Sequence, residues 1–389
     1  MFSLDLQCNE SFCSDFLGKS VFEQYKLWFR IFCLHIYTVE IWNLFQSRKF
    51  LMSNNHPSPE QFRRGVFAGV GAGAMWGLVF LYPRVTPEFS PMSQMVLRYI
   101  CYGLFAIVLS WRALSGVWSR LQGQDWRMLV KISLQANILY YICLATGVKY
   151  GGIAPTTLII GMLPVTIALL GQNDAGSLHW KRLLAPIVLM ALGIVAISYD
   201  LFTHADDHLN STLWQRVLAL FAAAGALVFW TLAAVNNARY LRSHNAIDPK
   251  TWSDLCGVVT GLLALLMLGV GLVWAQVAPS SIFAISTDTN LPWLKFLLIG
   301  GVVIAFCASW FGNILWNIAS HLLPISLTGQ LIMSETLFSL IYGFVYDGRW
   351  PRVLEWLAMA LALGGVVWAI RLHADKGGEI SEEATQVHG

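Results

Sequence analysis

Residues 65–83 read GVFAGVGAGAMWGLVFLYP, an uncharged run held between Arg64 and Arg84. A helix needs about 20 mainly apolar residues to cross a hydrocarbon core of roughly 30 Å, and this run has that length and composition. Its glycines Gly69, Gly71, Gly73 and Gly77 include a GxxxG step from Gly73 to Gly77, which lets a second helix approach closely. The run reads as a membrane span built for helix packing.

Similar windows recur outward from it, at 95–111, 128–147, 151–171, 183–199, 213–235, 253–277, 294–316, 323–345 and 354–371. With the first, they make an all-α polytopic membrane protein of ten transmembrane helices. The links are too short to hold a soluble domain. Val148, Lys149 and Tyr150 alone separate the third and fourth windows, which predicts a tight turn there. Composition agrees: 56% of the 389 residues are hydrophobic, 13% aromatic and only 12% charged, with a mean hydropathy of +0.58. Soluble chains carry about a quarter charged residues, and a core cannot hide this much apolar surface. A net charge of +3 gives no basic field for nucleic acid. The cysteines Cys8, Cys13, Cys33, Cys101, Cys143, Cys256 and Cys307 show no CxxC or paired spacing, so neither a disulfide nor a zinc framework is expected.

Basic residues set the orientation. Arg63, Arg64, Arg112, Arg120, Arg127, Lys131, Lys181, Arg182, Arg239, Arg242, Lys250, Arg371 and Lys376 fall on one side; Arg84, Arg98, Lys149, Arg216, Lys295, Arg349 and Arg352 fall on the other. The richer side holds both termini, which places them in the cytoplasm. Ahead of the spans, Phe22 to Phe45 is aromatic but interrupted by Glu23, Lys26, Arg30, His35 and Glu40, which suits an interfacial helix at best. Met52 then opens a polar leader of the kind that begins bacterial inner-membrane proteins. The chain divides into an atypical extension 1–51, read as a mis-called start, a cytoplasmic leader 52–64, a five-helix module 65–199, an acidic periplasmic linker 200–212, a second module 213–372 and a disordered cytoplasmic tail 373–389.

An offset of 171 residues brings Tyr150 over His321, Met162 over Met333, Pro164 over Glu335 and Gly193 over Gly364, and places the third to fifth spans over the eighth to tenth. Five spans per half is an odd number, so the second copy must be inverted. Inverted repeats around a midplane site are a recurrent plan of secondary transporters.

Trp76-Gly77 followed by Phe80, Arg84, Pro91 and Arg98, the stretch from Ala145 to Tyr150, Leu163-Pro164-Val165, and the glycines Gly193 and Gly364-Gly365 together resemble the EamA-type modules of the drug/metabolite transporter superfamily. The resemblance covers about residues 60–373. It implies a ten-helix, two-module carrier of small metabolites, with bacterial aromatic amino acid exporters the nearest comparison. Two places depart from the pattern: Gly171-Gln172-Asn173 and Tyr346-Asp347-Gly348 replace a Leu-Gly-Glu run.

Within the spans, Glu335 is the one acidic residue deep in a window. A carboxylate at a helix centre costs about 2.5–3.5 kcal/mol on insertion scales, so it must be protonated, paired or facing water. It is the candidate for coupling transport to protons and for binding a substrate amine; a helix–helix hydrogen bond to Arg98 or Gln330 is the structural alternative. Thr328, Leu331, Glu335, Ser339 and Tyr342 share one helical stripe, with Gln330 on the adjacent polar one. Asn313 and Asn317 with Trp316, and Asn137 with Tyr141, put amides and aromatics at depth, where they can orient a substrate or join helices. Most of the 17 tryptophans fit interfacial belts. Trp76 and Trp230 lie farther from the ends, in the first helix of each module, and could stack on an aromatic or cationic substrate or simply pack.

No GxxxxGK[ST], GxSxG or HExxH occurs, so neither an ATPase nor a standard hydrolase is indicated and no catalytic residue or cofactor is assigned. His204, Asp206, Asp207 and His208 sit in a short polar link and read as solvated loop, not as a metal site. The sequence thus points to a secondary transporter, an exporter of small metabolites such as amino acids, working by alternating access in the bacterial inner membrane. An intramembrane enzyme on a lipid-linked substrate and a non-transporting sensor or assembly subunit are the alternatives.

Overall fold

The computed structural model describes residues 59–170, 180–203, 211–243, 247, 249–322 and 331–387. All of them belong to the compact unit Pro57–Gly389; the unit Met1–His56 lies outside the described residues, as do residues 204–210 with their His/Asp cluster.

Helices account for the architecture, and no strand occurs among the described residues. The first two are α1 (Pro59–Val85) and α2 (Pro91–Val117). Next come α3 (Gly123–Ile132), a π-helical stretch Ser133–Leu139 and α4 (Tyr140–Gly151), which run on without a break. Two short helices follow, α5 (Ile153–Ile160) and α6 (Leu163–Leu170), then α7 (Trp180–Thr203), α8 (Leu213–Ser243) and α9 (Pro249–Val277). The last group is α10 (Trp293–Phe296), a second π-helical stretch Leu297–Phe311, α11 (Gly312–Leu322), α12 (Met333–Asp347) and α13 (Val353–Val387). Seven stretches among the described residues are long and apolar enough to cross a membrane, and Ile153–Ile167 and Val353–Ala369 are shorter apolar helices. The described residues are those of an all-helical membrane protein.

One local expectation changes. The turn between the third and fourth windows is not at Val148–Tyr150: α4 continues through Gly151, and the reversal falls on Gly152, whose φ of +85° only glycine adopts cheaply. Farther on, Pro164 does not lie inside a continuous helix. The chain turns at Gly161–Met162, and Pro164 takes the second position of the new helix α6, where its missing N–H costs nothing.

Helix α1 is the hub of the packing, lying against α11, α12, the second π-helical stretch and α4. Its GxxxG step explains why. A Cβ on Gly73 would lie 1.9 Å from Ser334 Oγ and 2.8 Å from Glu335 N, and one on Gly77 would lie 3.0 Å from the Phe338 Cβ. The two glycines let the backbone of α1 rest on the first turns of α12. Similarly, α2 crosses α9 at Gly103, whose Cβ would meet the Gly261 Cα at 2.9 Å. The remaining large contacts pair α4 with α8 and α7 with α13.

Candidate functional site

A cavity of about 520 Å³, its open mouth included, lies where these helices converge. Trp76 and Val79 enter it from α1, and Arg98, Tyr99 and Tyr102 from α2. The first π-helical stretch contributes Asn137, α4 Tyr140, and α8 Trp230. From the far side come Ser309 on the second π-helical stretch, Asn313 on α11 and Glu335 on α12. Both π-helical stretches thus border the cavity, and such wide turns often mark functional positions because they re-aim side chains.

Arg98 is 6% exposed and lies well inside α2. Its Nε donates to Ser309 Oγ at 3.0 Å, and its guanidinium carbon sits 4.9 Å from the Tyr99 ring centre and 5.0 Å from that of Tyr141. Nη1 is buried without a hydrogen-bond partner. Arg98 is therefore a buried helix residue and not one of the charges outside the spans with which its position in the sequence groups it. The signal was present in Ser90-Pro91, since the Ser90 side chain accepts from the Ser93 N–H at 3.0 Å and caps a helix that starts at Pro91, several residues before the apolar window.

Glu335 occupies the first turn of α12. Its N–H donates to the Ile332 carbonyl at 3.1 Å and its own carbonyl accepts from Ser339 Oγ at 2.7 Å. Its carboxylate has no ion pair or hydrogen bond to another described residue, Arg98 included.

The other candidates divide. Asn137 donates from Nδ2 to Thr260 Oγ1 on α9 at 2.9 Å, and Asn313 from Nδ2 to the Tyr102 hydroxyl at 3.4 Å. Trp76 and Trp230 are walls of the cavity. Trp316 stands behind Trp76 with ring centres 5.3 Å apart, Tyr141 is wholly buried beneath Arg98, and Tyr342 donates to the Ala74 carbonyl at 3.2 Å. Asn317 lines a neighbouring cavity of about 210 Å³ with Lys250 and Asp254, and that cavity shares Tyr102 and Asn313 with the central one. Gln330 lies outside the described residues. Tyr99, Tyr102, Tyr140 and Ser309 also line the cavity and are not among the candidates named from the sequence, since they carry no pattern that separates them from ordinary apolar-helix residues.

At the other end of the bundle the charges are paired. Arg84 at the end of α1 meets Asp347 at the end of α12 at 3.2 Å. Arg352, just before α13, reaches Asp200 near the end of α7 at 2.8 Å. Arg349 holds Glu355 through two bonds of 2.7 and 2.8 Å.

Residues 63–199 match the model of the EamA-like transporter family. The Inner membrane protein YtfF of Escherichia coli (strain K12) is 32% identical over 322 residues, which is 80% of this chain and 96% of that protein. A crystal structure of another protein shares the fold, with a TM-score of 0.51 at 19% identity, over 80% of this chain and 98% of that one.

Proposed function

The chain belongs to the EamA-like transporter family, and from that premise we propose that it is a secondary active carrier of small metabolites such as amino acids, aromatic ones among them, exporting them across the bacterial inner membrane. The observation that carries this reading is the central cavity, to which helices on both sides of the acidic linker contribute and where a few polar and charged side chains converge among aromatic walls.

Two inverted five-helix modules, ten spans in all, are part of the proposal. The packing is what an exchange of modules would produce. In that scheme α1 is the first helix of one module and α8 the first of the other. Helix α1 lies on the second π-helical stretch, α11 and α12, while α8 lies on the first π-helical stretch, α4, α5 and α6. The irregular places also coincide under the offset of 171. The π-helical stretch Ser133–Leu139 falls on 304–310, inside Leu297–Phe311, and the turn at Gly161–Met162 falls on Ile332–Met333, where α12 begins. Broken helices at equivalent positions of two halves are where transporters of this general plan build their sites.

Alternating access then follows. The smaller cavity with Lys250 and Asp254 continues the central one toward the start of α9, while the ion pairs of Arg84 and Arg352 tie helix ends together at the opposite face. With both termini cytoplasmic, this is an inward-facing arrangement whose outer face is clasped. Glu335 is the coupling residue, alternating between a protonated and a charged form as the cavity changes sides. Uptake of amino acids into reconstituted vesicles, with and without a pH gradient, tests this. Wild type is expected to respond to the gradient and Glu335→Gln to lose that response; transport of no amino acid would overturn the reading, and a mutant that keeps a full pH response would remove Glu335 from coupling.

A further inference from the structure

The fork of Arg98 is incomplete. A guanidinium presents five N–H donors in a rigid plane that matches a carboxylate. Ser309 takes Nε, the faces of Tyr99 and Tyr141 hold the plane in position, and Nη1 stays buried with nothing to donate to. A neutral serine and two rings cannot neutralise the charge. Glu335 lines the same cavity with its carboxylate bonded to no described residue, and the two do not pair. Opposite charges at low dielectric attract strongly, and a buried charge without a partner is costly. Their separation within one cavity leaves a gap with a positive and a negative end.

We propose that Arg98 is the anion anchor of the central cavity, receiving the carboxylate of a dipolar substrate whose ammonium group faces Glu335. The inference rests on the reading of this cavity as the transport site. It specifies the substrate class by chemistry: a small molecule carrying both a carboxylate and an amine, with its remaining apolar part against the indole walls of Trp76 and Trp230. Arg98 acts by direct contact, through Nη1 and the neighbouring fork position.

Binding to the purified full-length protein in lipid nanodiscs tests it, with L-phenylalanine and L-leucine compared with phenethylamine and isopentylamine, which lack the carboxylate, and with 3-phenylpropionate and 4-methylpentanoate, which lack the amine. A charge-assisted hydrogen bond predicts that the amino acids bind roughly ten-fold or more tighter than the amines. In Arg98→Gln that advantage disappears, while in Glu335→Gln the advantage of the amino acids over the acids disappears. A merely structural arginine would lower all affinities together and leave these ratios unchanged. The proposal is overturned if the amines bind wild type as tightly as the amino acids, or if Arg98→Gln keeps the discrimination. Should that variant fail to fold, the wild-type ratios alone decide. Binding of none of the compounds would instead overturn the amino acid carrier reading, and this inference with it.

Discussion

Gly73 shows how a single residue places the chemistry. The first turn of α12 can bring Glu335 to the cavity only because α1 presents no side chain where Ser334 arrives. Gly73→Ala puts a methyl group into the Ser334 side chain and the Glu335 backbone, so the first turn of α12 must move. Overpacking of this kind typically costs about 1–3 kcal/mol. The expected outcome is a lower melting temperature in detergent together with loss of transport, whereas Gly116→Ala, at a position with open space around it, leaves both unchanged. At this scale the sequence was partly legible. Trp76, Asn137, Trp230, Asn313 and Glu335 stood out as polar or amphipathic side chains at membrane depth, and the structure brings all of them to one cavity. Arg98 stood out only as part of the family-like motif and as an alternative hydrogen-bond partner of Glu335, because a charge near the edge of an apolar window looks like an interface residue until the cap at Ser90 fixes where the helix begins.

Among the elements, the interrupted ones matter most. Gly152 ends α4 and starts α5 without a loop, and its φ of +85° with ψ of 173° is closed to residues with a Cβ except at a cost of about 1–3 kcal/mol. Gly152→Ala is therefore expected to lower stability by that amount, read as a shifted thermal or denaturant midpoint, and to disturb the cavity through the displaced start of α5. Hydropathy windows could not show this. They average over about twenty residues, so a turn such as Gly161–Met162 within an apolar stretch leaves no trace, and a π-helical stretch has the same composition as an α-helical one. The crossing of α2 and α9 at Gly103 and Gly261 was equally hidden, since a glycine in a membrane helix carries no mark of which partner it admits.

For the molecule as a whole, the clasp is the feature to perturb. Asp200 is 3% exposed and Arg352 reaches it from the start of another helix. Removing one partner of a buried pair costs up to about 3–5 kcal/mol, and the partial exposure of Arg352 puts the expected loss for Asp200→Asn or Arg352→Ala at the lower end of that range. If the pair helps to hold the outer face shut, a cysteine at Ser211, beside that face, gains reactivity toward a membrane-impermeant thiol reagent in Arg352→Ala. No gain would separate the pair from gating. The Arg84–Asp347 pair gives a second test, in which the reversal Arg84→Asp with Asp347→Arg restores stability lost in either single variant, measured by the same melting transition.

Composition and hydropathy alone determined the solvent and the helical class, because the bilayer demands long apolar stretches with their backbone hydrogen bonds satisfied internally. Short motifs around Trp76-Gly77 and Leu163-Pro164 were enough to suggest the family. Which side chains meet was decided by tertiary structure. Hydropathy is a property of each residue separately, whereas the cavity depends on where glycines let backbones touch, where a helix breaks, and which two charges are brought near each other without pairing.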